Sequence, residues 1–375
     1  MQPRFLASAA ELPETDWRRL ATEDPFVSRE FLAAAEACGA AGTGMGWRPM
    51  HLALPDGRGA TAGFLPLYFR DHSFGDFSRD WNWPPAWHRA GLNYYPKLVT
   101  GVPYTPSPGP RLLAADEPPG MPAALIEAAI DAARGCGASS WQCLYVLERD
   151  RAALEAAGLL MRRGVQFHWR NSGYRDFADF LAAFTAEKRK KLRRERRAVA
   201  DAGLRIETRH GDEIAPPLWK AIHRHYRGTF ERYGNYPAFP LEFFQQAGAA
   251  LGRRLVVFVA FARRRPVASA ICYRSATTLY GRHWGSDIEC PGLHFELSYY
   301  QGIEYAIAEG LERFEAGSGG EHKIARGFEP TPTWSAFWIA DARMREAVAE
   351  FAVREDAAML DYEAETMERL PFRTG

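Results

Sequence analysis

The chain has 375 residues, of which 47% are hydrophobic and 25% charged, with 47 Lys and Arg against 46 Asp and Glu. That length exceeds one ordinary core and predicts two domains, and the composition excludes a disordered or fibrous protein. The net charge of +1 excludes global steering toward nucleic acid or membrane, and five cysteines without CxxC spacing or histidine partners read as reduced core thiols rather than a zinc site.

The opening MQPRFLASAAELPETDWRRL has no apolar signal region, and no apolar run approaches the ~18 residues of a membrane span, so a cytoplasmic protein is expected. Residues 25–39 predict a helix with Phe26 or Val27, Phe31, Leu32 and Ala35 on one face. A strand (MHLAL), the turn 55–59 and a second strand (AGFLPLYF) follow. Trp81, Trp83, Trp87, Tyr94, Tyr95 and Lys97 are then spaced irregularly among Asp80, Pro84 and Pro85, which reads as a loop. Its rings are suited either to stacking on a sugar, a base or an aromatic side chain, or to packing against the sheet. KLVTGVP predicts a strand, the proline-rich 105–111 a turn, and 121–135 a helix. The strand SWQCLYV, a short helix (DRAALEAAG) and the strand VQFHWR complete the first half.

Eight of the ten residues Lys188–Arg197 are Lys or Arg, on a predicted helix from 186 to 202 with Thr185 as N-cap. So many charges cannot all be buried. They form either a phosphate-attracting surface, through Lys188, Lys190, Lys191, Arg193 and Arg194, or a solvated connection. A helix over 239–252 leads to the strands LVVFVAF, VASAICYR and TTLYGRHWG. A helix over 293–310 and the strands LERFEA and TWSAFWIA close the chain. Gly137 and Gly310 sit where each half needs a left-handed residue between helix and strand. Both halves therefore run helix, hairpin, strand, helix, strand.

That order resembles the GNAT acyltransferase fold, an α/β arrangement. Two such modules, each a mixed central sheet flanked by helices, are expected at 1–170 and 171–375. The full chain resembles the FemAB-like group of peptidoglycan biosynthesis or recognition, related to the Fem-type aminoacyltransferases of bacterial cell-wall synthesis. The stretches that carry this are DPFVSREFL, GWRPMHLAL, GLNYYPKLVTGVPYTPSPGPRLL, KRKKLRRERR, LYGRHWG, HFELSYYQGIEYAI and FEAGSGGEHKIARGFEP.

The resemblance implies an N-acyl- or aminoacyltransferase acting on an amine acceptor, with aminoacyl-tRNA or acyl-CoA as donor and no tightly bound cofactor. Acyl transfer needs a neutral amine, a polarised carbonyl and a stabilised leaving group. In GNAT modules a central strand splays at a bulge to hold the donor, and the next helix N-terminus binds pyrophosphate. Here both corresponding loops, 105–111 and 285–292, depart from the usual arginine- and glycine-rich pattern, and Pro106, Pro108 and Pro110 remove backbone donors. Both departures favour aminoacyl-tRNA, and the basic helix would then meet tRNA or a nucleotide-linked precursor.

The reactive groups are expected in the second module and the cleft between the modules. His294 pairs with Ser298 and Glu296 with Tyr300 at helical spacing, and Glu304 extends the second stripe. Glu296 or Glu315 is the candidate base, with His294 beside them, and Lys323 or Arg326 would hold an anionic group. Arg282, Trp284 and Tyr300, with Trp81, Trp83, Tyr95 and Lys97 of the first module, complete the candidate substrate surface. No metal set is expected, since His223 and His225 are only two apart. Two other functions fit the same residues: an acetyl-CoA-dependent GNAT enzyme acting on a small amine, and a non-catalytic protein that binds a polyanionic precursor or RNA.

Overall fold

The computed structural model describes residues 2–20, 22–115 and 120–373. The chain's packing against itself defines two units. Unit 1 is the chain up to Gly164 together with Pro332–Asp361, and unit 2 is Val165–Thr331 together with the chain from Tyr362 onward. The units are therefore not the consecutive spans 1–170 and 171–375. Residues 334–339 leave the second span because they pair, antiparallel, with a central strand of unit 1.

Unit 1 contains β1 (Arg4–Leu6), β2 (Arg48–Pro49), β3 (His51–Pro55), β4 (Thr61–Leu65), β5 (Leu67–Arg70), β6 (Lys97–Thr100), β7 (Leu113–Ala114) and β8 (Ser140–Val146). One sheet runs β1-β3-β4-β7. In the second, residues 334–339 pair with β8, followed by β6, β5 and β2. β4 and β5 are consecutive in sequence yet belong to different sheets. Pro66 lies between them and has no N–H to give a ladder, so the chain changes partners there. β6 and β8 are parallel, and the helix Met121–Gly135 crosses between them. That helix buries Leu125, Ile126, Ala129 and Ala133 against Leu52, Leu98 and Trp141. Each large apolar side chain buried in this way contributes about 1.5–3 kcal/mol.

Unit 2 contains β9 (Leu160–Arg170, from Val165 onward), β10 (Leu204–His210), β11 (Leu255–Ala262), β12 (Arg265–Arg274), β13 (Thr278–Ser286) and β14 (Arg313–Glu315), in the order β10-β11-β12-β13-β14-β9. Here β13 and β14 are the parallel pair, joined across the helical segment Leu293–Ala308. Gly302 lets that segment lie on the sheet, since a Cβ there would fall 2.3 Å from the Phe314 ring. Phe258, Ala270, Leu297, Ile303, Phe314 and Phe328 form the centre of the core.

Each unit thus repeats the expected strand, crossing helix and parallel strand, and Gly137 and Gly310 both adopt left-handed φ, 67° and 66°. Local boundaries moved. The first long helix begins at Arg29, where the Ser28 hydroxyl accepts from the Phe31 amide, so Phe26 and Val27 are buried just ahead of it rather than within it. The basic helix spans Ala186–Asp201 and docks through Leu192 and Val199, two turns apart; Thr185 precedes it without a side-chain cap bond. Helix 293–310 is interrupted by a π-turn at Glu296–Tyr300. Of the cysteines, Cys143 and Cys272 are core thiols, whereas Cys38, Cys136 and Cys290 are half-buried.

Candidate active site

Parallel strands joined by one crossing helix can part beyond their paired residues, and the two units treat that parting differently. In unit 1, β6 and β8 pair from Leu98 with Trp141 to Thr100 with Cys143. Beyond that point the proline-rich loop fills the gap. Gly109 bridges to Val146, its amide donates to the Tyr145 carbonyl at 3.0 Å, and Arg111 Nε donates to the Leu144 carbonyl at 2.8 Å. Arg111 is buried and also donates to the Ser107 and Pro110 carbonyls and, through its amide, to Asp150 Oδ2. The loop is a braced plug.

In unit 2 the parting is open. β13 and β14 pair only from Thr278 with Arg313 to Tyr280 with Glu315. Past them lies a cavity of about 120 Å³, lined by Arg282, His283, Trp284, His294, Ser298 and Tyr299 among others. A bulge shapes its strand wall: Ile271 pairs with His283 and Cys272 with Gly281, leaving Arg282 as the extra residue. The helical wall is the π-turn, a distortion that re-aims side chains and recurs at functional sites. Ser298 Oγ is screened from solvent and has no hydrogen-bond partner among the described residues.

Around the cavity the imidazoles and the Lys323 amine are pushed toward their neutral forms, while Arg282 on its wall acts on His283 and Lys323 as a cation. Burial, and then His322, Arg326 and Lys323, push His294 down to about 4. Its ring lies 4.8 Å from that of Trp284. His322 is also lowered, by burial and by Arg326 and Lys323, and its Nε2 lies 2.7 Å from Tyr299 Oη. His283 packs among the rings of Tyr226, Phe230, Phe239 and Phe244, and burial drives it well below the usual imidazole value. Lys323 is buried, donates to the Gly317 carbonyl at 2.5 Å, and is lowered to about 7 by burial and by Arg282. Gly317, Gly319 and Gly320 all take left-handed φ, and a Cβ on Gly320 would meet the His322 ring at 2.7 Å.

The sequence-predicted residues divide. Arg282, Trp284 and His294 line the cavity, with Ser298, the helical partner of His294. Glu296 and Tyr300, the other predicted pair, turn instead to the basic helix. Arg196 donates to both Glu296 oxygens, at 2.8 and 3.0 Å, and Gln301 adds a third bond at 2.8 Å. Those bonds engage both oxygens and hold Glu296 on the side of the basic helix rather than on the wall of this cavity. Arg326 is unavailable to an anion: it donates to Glu195, Tyr300 Oη and the His322 carbonyl and lies 3.4 Å over the Phe295 ring. Glu315 is buried at the end of β14, 3.3 Å from Arg313 Nε and 4.0 Å from His168 Nδ1, rather than on the cavity wall.

In unit 1, Lys97 is buried in contact with Asp76, Asp80, Ser73 and Gln142, Trp83 packs in the core against Trp87, and Tyr95 Oη is tied to Ser73. These three are internal supports, and Trp81 alone of the four stands exposed, at 75%. On the basic helix, Lys190, Lys191, Arg193 and Arg194 are exposed and have no ion-pair partner among the described residues, while Lys188 is half-buried. His283, Tyr299 and His322 were not chosen from the sequence as site residues. A regular helix gives no sign of a π-turn, whereas His283 and His322 stand in the crowd of ionisable groups over 279–330 without a role that the sequence assigns.

Among the described residues no helix is long and apolar enough to cross a membrane, and no cluster of three or more His, Cys, Asp or Glu is placed to hold a metal ion. The fold is similar to FemX, at TM-score 0.55 and 12% identity over 93% of this chain and 100% of that chain. It is also similar to the C-terminal domain of a putative lysylphosphatidylglycerol synthetase from Agrobacterium fabrum, at TM-score 0.54 and 13% identity over 94% and 98% of the two chains. L-PGS from Bacillus licheniformis gives TM-score 0.51 and 11% identity over 85% and 95%. Curated protein sequences give no match. The FemAB-like family model, described as peptidoglycan biosynthesis/recognition, matches residues 8–374, nearly the whole chain, and so the chain belongs to the FemAB-like family.

Proposed function

We propose that this protein transfers an acyl or aminoacyl group to an amine, and that the transfer takes place at the parting of β13 and β14. The open, bulged cavity in unit 2 carries the reading, set against the filled parting of unit 1. A neutral amine attacks the acyl carbon there. The new C–N bond forms, the bond to the donor's oxygen or sulfur breaks, and the amine proton leaves with the donor fragment. Neutral imidazoles and a lysine titrating near 7 suit a site that must keep an attacking amine unprotonated.

Two observations favour aminoacyl-tRNA over acyl-CoA as the donor. The loop ahead of helix Leu293–Ala308, residues 286–292, contains Asp287 and Glu289 and no Lys or Arg, a poor cradle for pyrophosphate. The exposed cations of the basic helix suit an extended polyanion. A cell-wall precursor amine is the acceptor the family description suggests.

The test is label transfer from radioactive aminoacyl-tRNA, and separately from acetyl-CoA, to amine acceptors. It is repeated with Ala316→Leu, which places bulk in the cavity wall. Transfer that Ala316→Leu abolishes while the thermal midpoint holds supports the proposal. Transfer that survives a filled cavity, or no transfer from either donor, refutes it.

A further inference from the structure

Residues 74–81 of unit 1 reverse the usual placement of side chains. Asp76, Ser78 and Asp80 are buried at 4%, 5% and 1% exposure, while Phe74, Phe77 and Trp81 stand outward at 47%, 41% and 75%. Ordinary packing puts aromatic rings inside and carboxylates outside. The inward row is clamped by Lys97, whose ammonium lies 2.9 Å from Asp76 Oδ2 and 2.5 Å from Asp80 Oδ2. Burial raises the Asp80 carboxyl, but Lys97 and its hydroxyl partners outweigh burial and leave it lowered, so the clamp is ionic. The outward row is held in an unfavourable backbone state: Phe77 and Arg79 take left-handed φ of 59° and 55°. Buried charge and backbone strain are both spent on presenting three aromatic rings to solvent.

The outward chemistry is cationic as well as aromatic. Between His72 and Trp83 the carboxylates are Asp76 and Asp80, both turned in under Lys97. Arg79 is exposed and has no carboxylate partner among the described residues. Arg79 also lines a cavity of about 370 Å³ with Trp81, Trp83 and Phe351, where the Glu355 carboxylate is paired to Arg162. A saccharide surface would turn carboxylates outward to meet ring hydroxyls, and here Asp76 and Asp80 face the other way, with Asn82 the outward amide beside Trp81. Exposed aromatic rings beside an unpaired guanidinium are the chemistry of a lipid–water interface with anionic headgroups.

We propose that this loop is an interfacial anchor. Phe74, Phe77 and Trp81 enter the headgroup region of an anionic lipid surface, and Arg79 meets a headgroup phosphate. This use is independent of the transfer proposed for unit 2.

The test is co-sedimentation of the full chain with vesicles containing phosphatidylglycerol and with vesicles of phosphatidylcholine alone. Expected is binding to the anionic vesicles that Trp81→Ser weakens at least about tenfold, the loss of one buried aromatic side chain. Arg79→Gln should weaken it several-fold on anionic vesicles only. Trp81 is exposed, so the thermal midpoint should hold in Trp81→Ser; the exposed Arg79 also rests its guanidinium over Gly164, so Arg79→Gln is compared at equal folded fraction. Neutralising Lys190, Lys191, Arg193 and Arg194 separates any contribution of the basic helix. Absence of binding, or binding abolished only in the basic-helix variant, overturns the proposal. So does protection of Trp81 from oxidation by a chitooligosaccharide but not by vesicles, which would assign the loop to sugar.

Discussion

Arg196 holds Glu296 through two hydrogen bonds from different nitrogens, 2.8 and 3.0 Å long. The same guanidinium reaches Glu304 at 2.6 Å, so the basic helix is fastened by its inner face to the π-turn that walls the cavity. Glu195, the neighbouring residue, accepts from Arg326 at 2.8 Å and from the Tyr300 hydroxyl. The helix thus has two roles: its inner charges are mortised into unit 2, and its outer charges are free.

The first prediction concerns that joint. Glu296→Gln leaves Arg196 bound to Glu304 but removes its bidentate partner, which should lower stability by about 1–3 kcal/mol. The urea midpoint should fall, while transfer per folded molecule stays within a few-fold of the parent. An unchanged midpoint with transfer lowered a hundredfold would return Glu296 to the chemistry.

Much of this was legible in the sequence. The spacing of His294 with Ser298 and of Glu296 with Tyr300 correctly paired residues on common faces. It did not tell which face met the cavity, because that depends on where the basic helix docks, and docking is decided by Leu192 and Val199. The proline-rich loop was readable as a braced turn, yet its role as a plug depends on Gly109 reaching Val146, a partner 37 residues away that local patterning does not encode. Lys97 looked like part of an aromatic surface because Asp76 and Asp80, the carboxylates that bury it, precede it by 21 and 17 residues with no periodic signal.

Lys323 supplies a pH-dependent prediction. Its ammonium titrates near 7 in the folded protein against an ordinary 10.5, lowered first by burial and then by Arg282. Between those values the unfolded chain binds a proton that the folded chain does not, so stability rises with pH. Relative to Lys323→Met, the parent should gain up to roughly 1.4 kcal/mol per pH unit from about pH 7 to pH 10, and nothing below that window. Urea unfolding of both proteins at several pH values measures it. A flat difference would mean that the lysine is charged and solvated.

The outer face of the basic helix gives a third prediction. Lys190, Lys191, Arg193 and Arg194 have no intramolecular partner among the described residues, so changing all four to Gln should leave the thermal midpoint unchanged. Binding to tRNA should weaken steeply. The slope of log K against log salt should fall by about 0.7 for each single-strand phosphate that the helix no longer neutralises. Filter binding across a salt series reads both quantities, and an unaltered slope would place the polyanion elsewhere.

The plug of unit 1 gives the last. Arg111 is buried beside Asp24, whose carboxyl is raised by burial and drawn back by Arg111. Arg111→Met leaves that carboxylate buried without its cation, at a cost of about 3–5 kcal/mol. The cost has a definite pH sense. Without Arg111 the folded protein keeps a proton on Asp24 that the unfolded chain releases, so the loss should be larger at pH 7 than at pH 5. Asp150, a second buried carboxyl that Arg111 draws down, responds in the same sense. Adding Asp24→Asn should therefore reduce that difference without abolishing it, while restoring part of the stability. Gly109→Ala should act on the same pair, since its Cβ would stand 2.3 Å from Asp24 Oδ2 and 2.8 Å from Arg111 Nη1. If the plug is purely structural, transfer per folded molecule is unchanged in every variant and only the unfolding curves move. Transfer that falls while the unfolding midpoint holds would mean instead that the filled parting of unit 1 takes part in the reaction.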